Sequence, residues 1–342
     1  MLLPFLHKIA AGEDLSAVEA RDAMLAVLSG ASTTPQISAF LMGLHMKGET
    51  ADELLGFARA MREKTTRIDA CLGDPQPLLD TCGTGGGAVP TFNISTVTAF
   101  VVAGAGARVA KHGNRSFSTQ CGSADVLEHL GIQVSQPPER VAHAIREIGI
   151  GFLFAPELHP AMKHAQPARM ELKMRTVFNL LGPLTNPAGA TRQLIGAPSA
   201  HAAELLANAL SGLGPERAFV VHGDGLDEVT TAGTTLVFEI RGSDVRSFQW
   251  TPADFGVEQA DIAHLHGGDP ARNARIATAV LNGQAGPQRD IVLVNSAAAL
   301  LLSGLADSPL DAMERAAQSI DSGAARSKLE KLAEFSRSWP KD

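Results

Sequence analysis

Two clusters of polar residues, separated by a short apolar stretch, carry the most chemical content of this chain. The first is Asp80-Thr81-Cys82-Gly83-Thr84-Gly85-Gly86-Gly87, followed by Phe92-Asn93-Ile94-Ser95-Thr96; the second is Val109-Ala110-Lys111-His112-Gly113-Asn114-Arg115-Ser116. The apolar pair Leu78 and Leu79 feeds the glycines, and a segment readable as a helix from Ile94 to Ala103 follows them. Glycines let backbone N–H groups close on a phosphate, and a helix N-terminus adds partial positive charge. Successive glycines also cost conformational entropy on folding, so turn geometry alone explains the run poorly. Lysine, histidine, asparagine and arginine soon afterwards make a second, more selective site beside an anion site.

Other phosphate-binding patterns fit less well. Gly83-x-Gly85-x-x-Ala88 matches the dinucleotide fingerprint only loosely. That fingerprint expects an acidic residue ~20 positions on, and the neighbourhood offers Ala103, Gly104, Ala105 and Arg108. No lysine-serine or lysine-threonine pair follows the glycines, which excludes the Walker-type loop.

Further along, Val221-His222-Gly223-Asp224-Gly225-Leu226-Asp227-Glu228 ends an apolar run in an acidic loop. Hard divalent cations take oxygen ligands, and Mg2+ commonly combines one or two carboxylates with substrate phosphates. A solvated acidic turn is the bland alternative, weakened by the phosphate site nearby. A third block, Phe152–Met162, contains His159; Pro167-Ala168-Arg169 and Arg175–Pro187 follow it. His159 and His164 lack the spacing of a zinc helix, and Pro160 interrupts one. An arginine fork suits a carboxylate ligand, although Arg169 alone reads first as a surface salt-bridge partner. His264 and His266 carry no functional reading.

The 342 residues can bury a large core, and 45% hydrophobic with 19% charged residues describes an ordinary globular chain. A net charge of −7 argues against a general nucleic-acid coat. Cys71, Cys82 and Cys121 form no even framework, which points to a reducing, cytoplasmic setting. The first residues lack the basic start and cleavage site of a signal peptide, and no apolar run approaches the ~20 residues of a membrane span.

The elements that must position these residues fall into two grammars. Residues 1–70 read as helices only, with capping boxes at Ser16–Glu19 and Thr50–Glu53 and a helix start near Pro35. Met24, Met42, Met46 and Met61 fall in these patterns and read as core. From Leu78 the chain alternates short apolar runs with helical segments. The expected strands are Leu78–Cys82, Arg108–Ala110, Phe152–Ala155, Ala218–His222 and Leu236–Ile240. The expected helices include Ser123–Leu130, Glu139–Ile148, Ala202–Ser211, Ala274–Leu281 and Ile291–Leu302, with a last packing helix through Leu329 and Leu332. This alternation predicts an α/β fold: a small all-helical N-terminal domain plus a large domain with a mainly parallel central sheet. The boundaries are 1–70, joined by a helical segment around 160–185, and 71–342. Pro183, Pro187 and Gly189 mark a turn-rich loop, and Gly267-Gly268-Asp269-Pro270 another.

Taken together, these blocks resemble the anthranilate phosphoribosyltransferases, the tryptophan-pathway branch of the nucleoside phosphorylase-like phosphoribosyltransferases. The most specific pieces are Phe92–Thr96, Lys111–Ser116, Gly122–Glu128, Leu181–Pro187, Asp224–Glu228 and Asn295-Ser296-Ala297-Ala298. The resemblance spans essentially the whole chain. It implies a helical domain joined to an α/β domain, a homodimer contacting through the helical domain, and Mg2+-dependent transfer of phosphoribosyl from phosphoribosyl pyrophosphate to the amine of anthranilate. By position it implies that Gly83, Asn93, Ser95, Thr96, Lys111 and Ser123 hold the donor, with Gly86, Gly87 and Thr91 completing the substrate site. Gly83, Asn114 and Arg169 would meet anthranilate, with His112 and His159 near its ring. Ser95, Asp227 and Glu228 would coordinate Mg2+, and Lys111, Asp227 and Glu228 would be catalytic. Gly87 stands where the family usually has an acidic residue, which implies weaker donor binding and an altered Mg2+ optimum. No membrane or nucleic-acid partner is expected; a nucleic-acid-binding relative of the fold and a nucleoside phosphorylase are the alternatives.

Overall fold

The structure, a computed structural model, describes residues 1–70, 76–85, 89–116 and 120–338. Its opening helices are α1 (Leu3–Ala10), α2 (Ala17–Leu28), α3 (Thr34–Lys47) and α4 (Ala51–Lys64). Capping boxes start α2, α3 and α4: Ser16 with Glu19, Thr33 with Gln36, and Thr50 with Glu53. Each such cap contributes about 1 kcal/mol. Glu53 also holds the bundle together. Fully buried, it accepts from Leu15 N at 3.0 Å, Thr50 N at 2.9 Å and Lys47 Nζ at 3.1 Å. One carboxylate thereby ties the chain before α2 to the end of α3 and the start of α4.

The second part runs β1 (Leu78–Gly83), α5 (Ile94–Gly104), β2 (Arg108–Gly113), α6 (Ser123–His129), α7 (Pro138–Ile148) and β3 (Ile150–Phe154). Short helices α8 (Ala155–Leu158), α9 (Gln166–Leu172) and α10 (Phe178–Leu181) lead to β4 (Arg192–Gly196), α11 (Ala200–Ser211) and β5 (Arg217–Gly223). A hairpin of β6 (Thr235–Arg241) and β7 (Asp244–Trp250) precedes α12 (Pro270–Leu281), α13 (Pro287–Ser303), α14 (Pro309–Asp321) and α15 (Ala324–Arg337). The seven-stranded sheet has the order β3-β2-β1-β4-β5-β6-β7. Its pairs are parallel from β3 to β5 and antiparallel from β5 to β7. The fold is thus a small helical N-terminal domain with a large, mainly parallel α/β domain.

Alternation along the strands divides the core. Leu194, Phe219 and Val221 face α5 and α13, whereas Ile195, Ala218 and Val220 join α11 and the helical bundle, where Phe40 and Phe57 meet edge to edge at 6.0 Å. Helix α5 is rich in valine and threonine, modest helix formers. Its burial on nearly every side supplies what propensity does not; each fully buried Val or Phe contributes about 1.5–3 kcal/mol.

Strands β1 and β2 pair only at Leu78–Arg108 and Leu79–Val109. Beyond that, Asp80 stands between them, wholly buried, accepting from His112 N at 3.1 Å and Asn186 Nδ2 at 2.7 Å. Several expectations need correction. Strands β4 and β7 are additional, and β6 is antiparallel to β5. A 3-10 turn at Gly182–Thr185 occupies the start of the stretch read as loop. Met46, read as core, is 80% exposed, while Met24 and Met61 are buried. Among the described residues no helix is long and apolar enough to cross a membrane.

Candidate functional site

The carboxyl ends of β1, β2 and β5 converge beneath the start of α5. At the end of β5, Asp224 and Gly225 take positive φ angles of 48° and 90°, and Gly223 and Leu226 exchange backbone hydrogen bonds at 2.9 Å. Asp-Gly is a favoured pair for so tight a reversal. It spends Asp224 on the turn and delivers Asp227 and Glu228 to the strand tips. A Cβ on Gly196 would run into the Asp227 backbone, and one on Gly83 would lie 3.0 Å from Asp227 Oδ2. Glycine at these positions therefore reflects close approach. Asn295, fully buried on α13, accepts from Val229 N and donates to Val229 O, both at 2.9 Å, fixing the segment that carries the carboxylates.

Lys111 on β2 is buried, with Nζ 2.5 Å from Thr81 O and 3.5 Å from Ser95 Oγ. Ser95, in the first turn of α5, donates its N–H to Glu228 Oε1 at 3.2 Å. Burial, reinforced by repulsion from Asp227, pushes the Glu228 carboxyl up to about 8, against the opposing pull of Lys111 and the Ser95 N–H. Burial likewise raises Asp227, offset by its own backbone, Arg175 and the Gly85 N–H. Adjacent carboxylates crowded in this way are short of positive charge. Their donors are all hard oxygens, which fits an ion that completes its shell with substrate oxygens and water, as Mg2+ does.

A second group lies beyond β2. His112 Nδ1 meets Gly182 O at 3.2 Å, His112 Nε2 meets His159 Nε2 at 3.2 Å, and His159 Nδ1 meets Thr65 Oγ1 at 2.9 Å. A carbonyl only accepts, so His112 carries its proton on Nδ1, and its neutral Nε2 is left to accept from His159 Nε2; the Thr65 hydroxyl beside His159 Nδ1 also reaches Met61 O at 2.7 Å. Burial pushes His112 down to about 3, helped by His159 and opposed by the Gly182 carbonyl, and pushes His159 down to about 4. Asn114 is exposed just past β2, its N–H donated to Ser123 Oγ at 3.1 Å.

Arg169 lies on α9, half-buried, with its guanidinium 5.2 Å from the centre of the Phe178 ring. Burial lowers its pKa from the usual arginine value. The structure thus joins Gly83, Ser95, Lys111, Asp227 and Glu228, pairs His112 with His159 and Asn114 with Ser123, and places Arg169 with Phe178. Thr91 bridges to His266, Asn93 occupies the N-cap position of α5 without a side-chain capping bond, and Thr96 is buried with no hydrogen-bond partner for its hydroxyl among the described residues. Gly86 and Gly87 lie outside the described residues. Sequence reading gave no role to Arg175, which donates from Nη1 to Gly85 O at 2.7 Å, to Asn295 or to Thr65. Arg175 and Asn295 stood inside recognised blocks, which was the available signal.

Comparison with known proteins decides the family. The family described as "Glycosyl transferase family, a/b domain" matches residues 75–326, and "Glycosyl transferase family, helical bundle domain" matches residues 3–65. An anthranilate phosphoribosyltransferase of Solibacter usitatus is 61% identical over 338 residues, covering 98% of this chain and 99% of that one. The chain belongs to the anthranilate phosphoribosyltransferases. A crystal structure of the anthranilate phosphoribosyltransferase from Thermus thermophilus superposes with a TM-score of 0.91 at 41% identity, covering 97% of this chain and 99% of that one. The Saccharomyces cerevisiae anthranilate phosphoribosyltransferase, solved in complex with PRPP and Mg, gives 0.90 at 29% identity, covering 99% and 98%. Likeness to the anthranilate phosphoribosyltransferases therefore extends over both the helical and the α/β parts.

Proposed function

We propose that this protein transfers the phosphoribosyl group of phosphoribosyl pyrophosphate to the amine of anthranilate with release of pyrophosphate, using Mg2+. The observation that carries this reading is the convergence of Gly83, Ser95, Lys111, Asp227 and Glu228 under the start of α5, in a chain of this family. The C1–oxygen bond to pyrophosphate breaks, the amine nitrogen bonds to C1, and the amine proton leaves. The ion would be held by Ser95, Asp227 and Glu228, and would supply charge neutralisation for the leaving pyrophosphate.

The chain's own groups do the rest. Lys111 adds a fixed cation where negative charge grows, which is worth most in a site shielded from water. The glycine loop, Gly83, Gly86 and Gly87, with Thr91, Asn93, Thr96 and Ser123, orients the donor. Arg169 and Asn114 meet the acceptor carboxylate. His112 and His159, both neutral at pH 7, flank the ring; the protonated aryl amine formed on bond closure is acidic enough to release its proton to water.

The catalytic unit comprises residues 1–70 with 160–185 on the acceptor side, and the remainder of 71–342 on the donor side. The exposed Met46 and Val18 of the bundle suit a homodimer through the helical domain, and the free buried Cys82 and Cys121 suit a cytoplasmic enzyme. Loss of anthranilate fluorescence in the presence of donor and Mg2+ tests the reading. No loss with folded protein, at any Mg2+ concentration, refutes it.

A further inference from the structure

We propose that Asn273 is a positioning residue for the phosphoribosyl donor. It holds the Asn93 carboxamide out of the capping position of α5 and presents it to the donor. This rests on the reading above that Asn93 binds the donor.

Asparagine is among the strongest helix caps, normally accepting the N–H of the second or third helical residue. Asn93 occupies the N-cap of α5 yet makes no such bond. Its Oδ1 is taken by Asn273 Nδ2 at 2.9 Å and by the Cys121 thiol at 3.3 Å, and its Nδ2 donates to Cys121 O at 3.3 Å. Asn273 Oδ1 in turn accepts from Gly268 N at 2.8 Å. The Gly268 N–H can only donate and the Cys121 carbonyl can only accept, so the orientation of both amides in the chain is determined from its two ends. Two consequences follow. The Ser95 N–H, which a capping Asn93 could have taken, goes to Glu228. Among the described residues the second hydrogen of Asn93 Nδ2 has no acceptor, which leaves it available to a ligand.

Asn273 is 2% exposed, so it acts through Asn93 and touches no ligand itself. Its turn is fastened to the donor loop independently. Gly267 N donates to Pro90 O at 2.9 Å, Phe92 N to Leu265 O at 3.2 Å, and Thr91 bridges to His266. A Cβ on Gly267 would come within 2.7 Å of the Phe92 backbone, so the two segments lie flush only because residue 267 has no side chain. The Gly267–Pro270 turn thus gains a role that its composition alone did not give it.

Steady-state kinetics and donor-binding calorimetry on Asn93→Ala, Asn273→Ala, Asn273→Asp and the Asn93→Ala/Asn273→Ala double variant test the proposal. Asn273→Ala should raise the donor KM about tenfold, the scale of one oriented hydrogen bond in a buried site, and leave the anthranilate KM unchanged. Asn273→Asp keeps the bond to Gly268 but turns an oxygen toward Asn93 Oδ1, and should weaken donor binding further. The double variant should bind the donor no worse than Asn93→Ala, because both changes remove the same interaction. A purely structural role would lower Tm and leave the donor KM alone. That result, or full additivity in the double variant, overturns the proposal. An unchanged donor KM in Asn93→Ala overturns the reading of Asn93 and this inference with it; a raised one beside an unchanged Asn273→Ala overturns the inference alone. Should Asn273→Ala not fold, the near-isosteric Asn273→Asp takes its place: a raised donor KM supports the proposal and an unchanged one overturns it.

Discussion

On the proposed assignment, the donor side and the acceptor side of the site are built on opposite plans. The donor side sits on strand tips and one buried helix, and it concentrates charge: a buried lysine and crowded carboxylates, with glycines that let the Asp227 segment approach closely. Much of the acceptor side comes from short helices and turns between residues 155 and 185, with one contact, Thr65, from the end of the helical bundle. Its two imidazoles are held neutral by burial. A polyanion with a departing pyrophosphate needs rigid, pre-placed charge, since the field must be in position before charge develops. A flat aromatic acid needs one fork for its carboxylate and an uncharged wall for its ring.

This contrast is open to attack, beginning where the effect should be largest. Replacing Asp227 and Glu228 together by alanine should cut turnover by several orders of magnitude while circular dichroism shows an intact fold; near-normal turnover at saturating Mg2+ would remove the carboxylates from the donor side. Arg169→Ala should raise the anthranilate KM by ~10- to 100-fold, the worth of a charge-assisted hydrogen bond, with little change for the donor. Equal rises for both substrates would assign Arg169 a structural task. The smallest effect concerns pH. His112 and His159 titrate near 3 and 4 in the folded chain and at about 6.5 when unfolded. Between these values the unfolded chain binds protons that the folded chain does not, so stability is full above the unfolded value and falls as pH is lowered through it. Tm should therefore drop from pH 6.5 toward pH 4, and His159→Asn should flatten that slope. An unchanged slope would mean the rings are not held neutral by burial.

The legibility of these two sides in the sequence also differs. The capping boxes at Ser16 and Thr50, the strands ending at Gly83 and Gly223, and the helix beginning at Ile94 could all be read, because caps, apolar runs and glycines act locally. Strand β4 escaped, since Arg192-Gln193-Leu194-Ile195-Gly196 buries a glutamine and ends in glycine, leaving little apolar signal. Strand β7 escaped because its edge position exposes Asp244, Arg246 and Ser247. Met46 has the helical spacing of a core residue but faces solvent. The donor residues were recognisable as motifs, whereas their supports were not. Asn295 reaches Val229 across 66 positions, and Asn273 reaches Asn93 across 180. No local pattern encodes a contact at such separation.

The parting of β1 and β2 at Asp80 has a practical consequence for altering this protein. The glycine loop continues from one strand and the first imidazole sits on the other, so on the proposed assignment a single buried carboxylate lies between the two halves of the site. A library aimed at new acceptors would naturally diversify the visible lining and treat Asp80 as neutral background. Changing it would shift both halves at once, and losses would be blamed on whichever lining residue happened to vary alongside. Asp80 and its partner Asn186 therefore belong among the positions to hold constant before any redesign of selectivity begins.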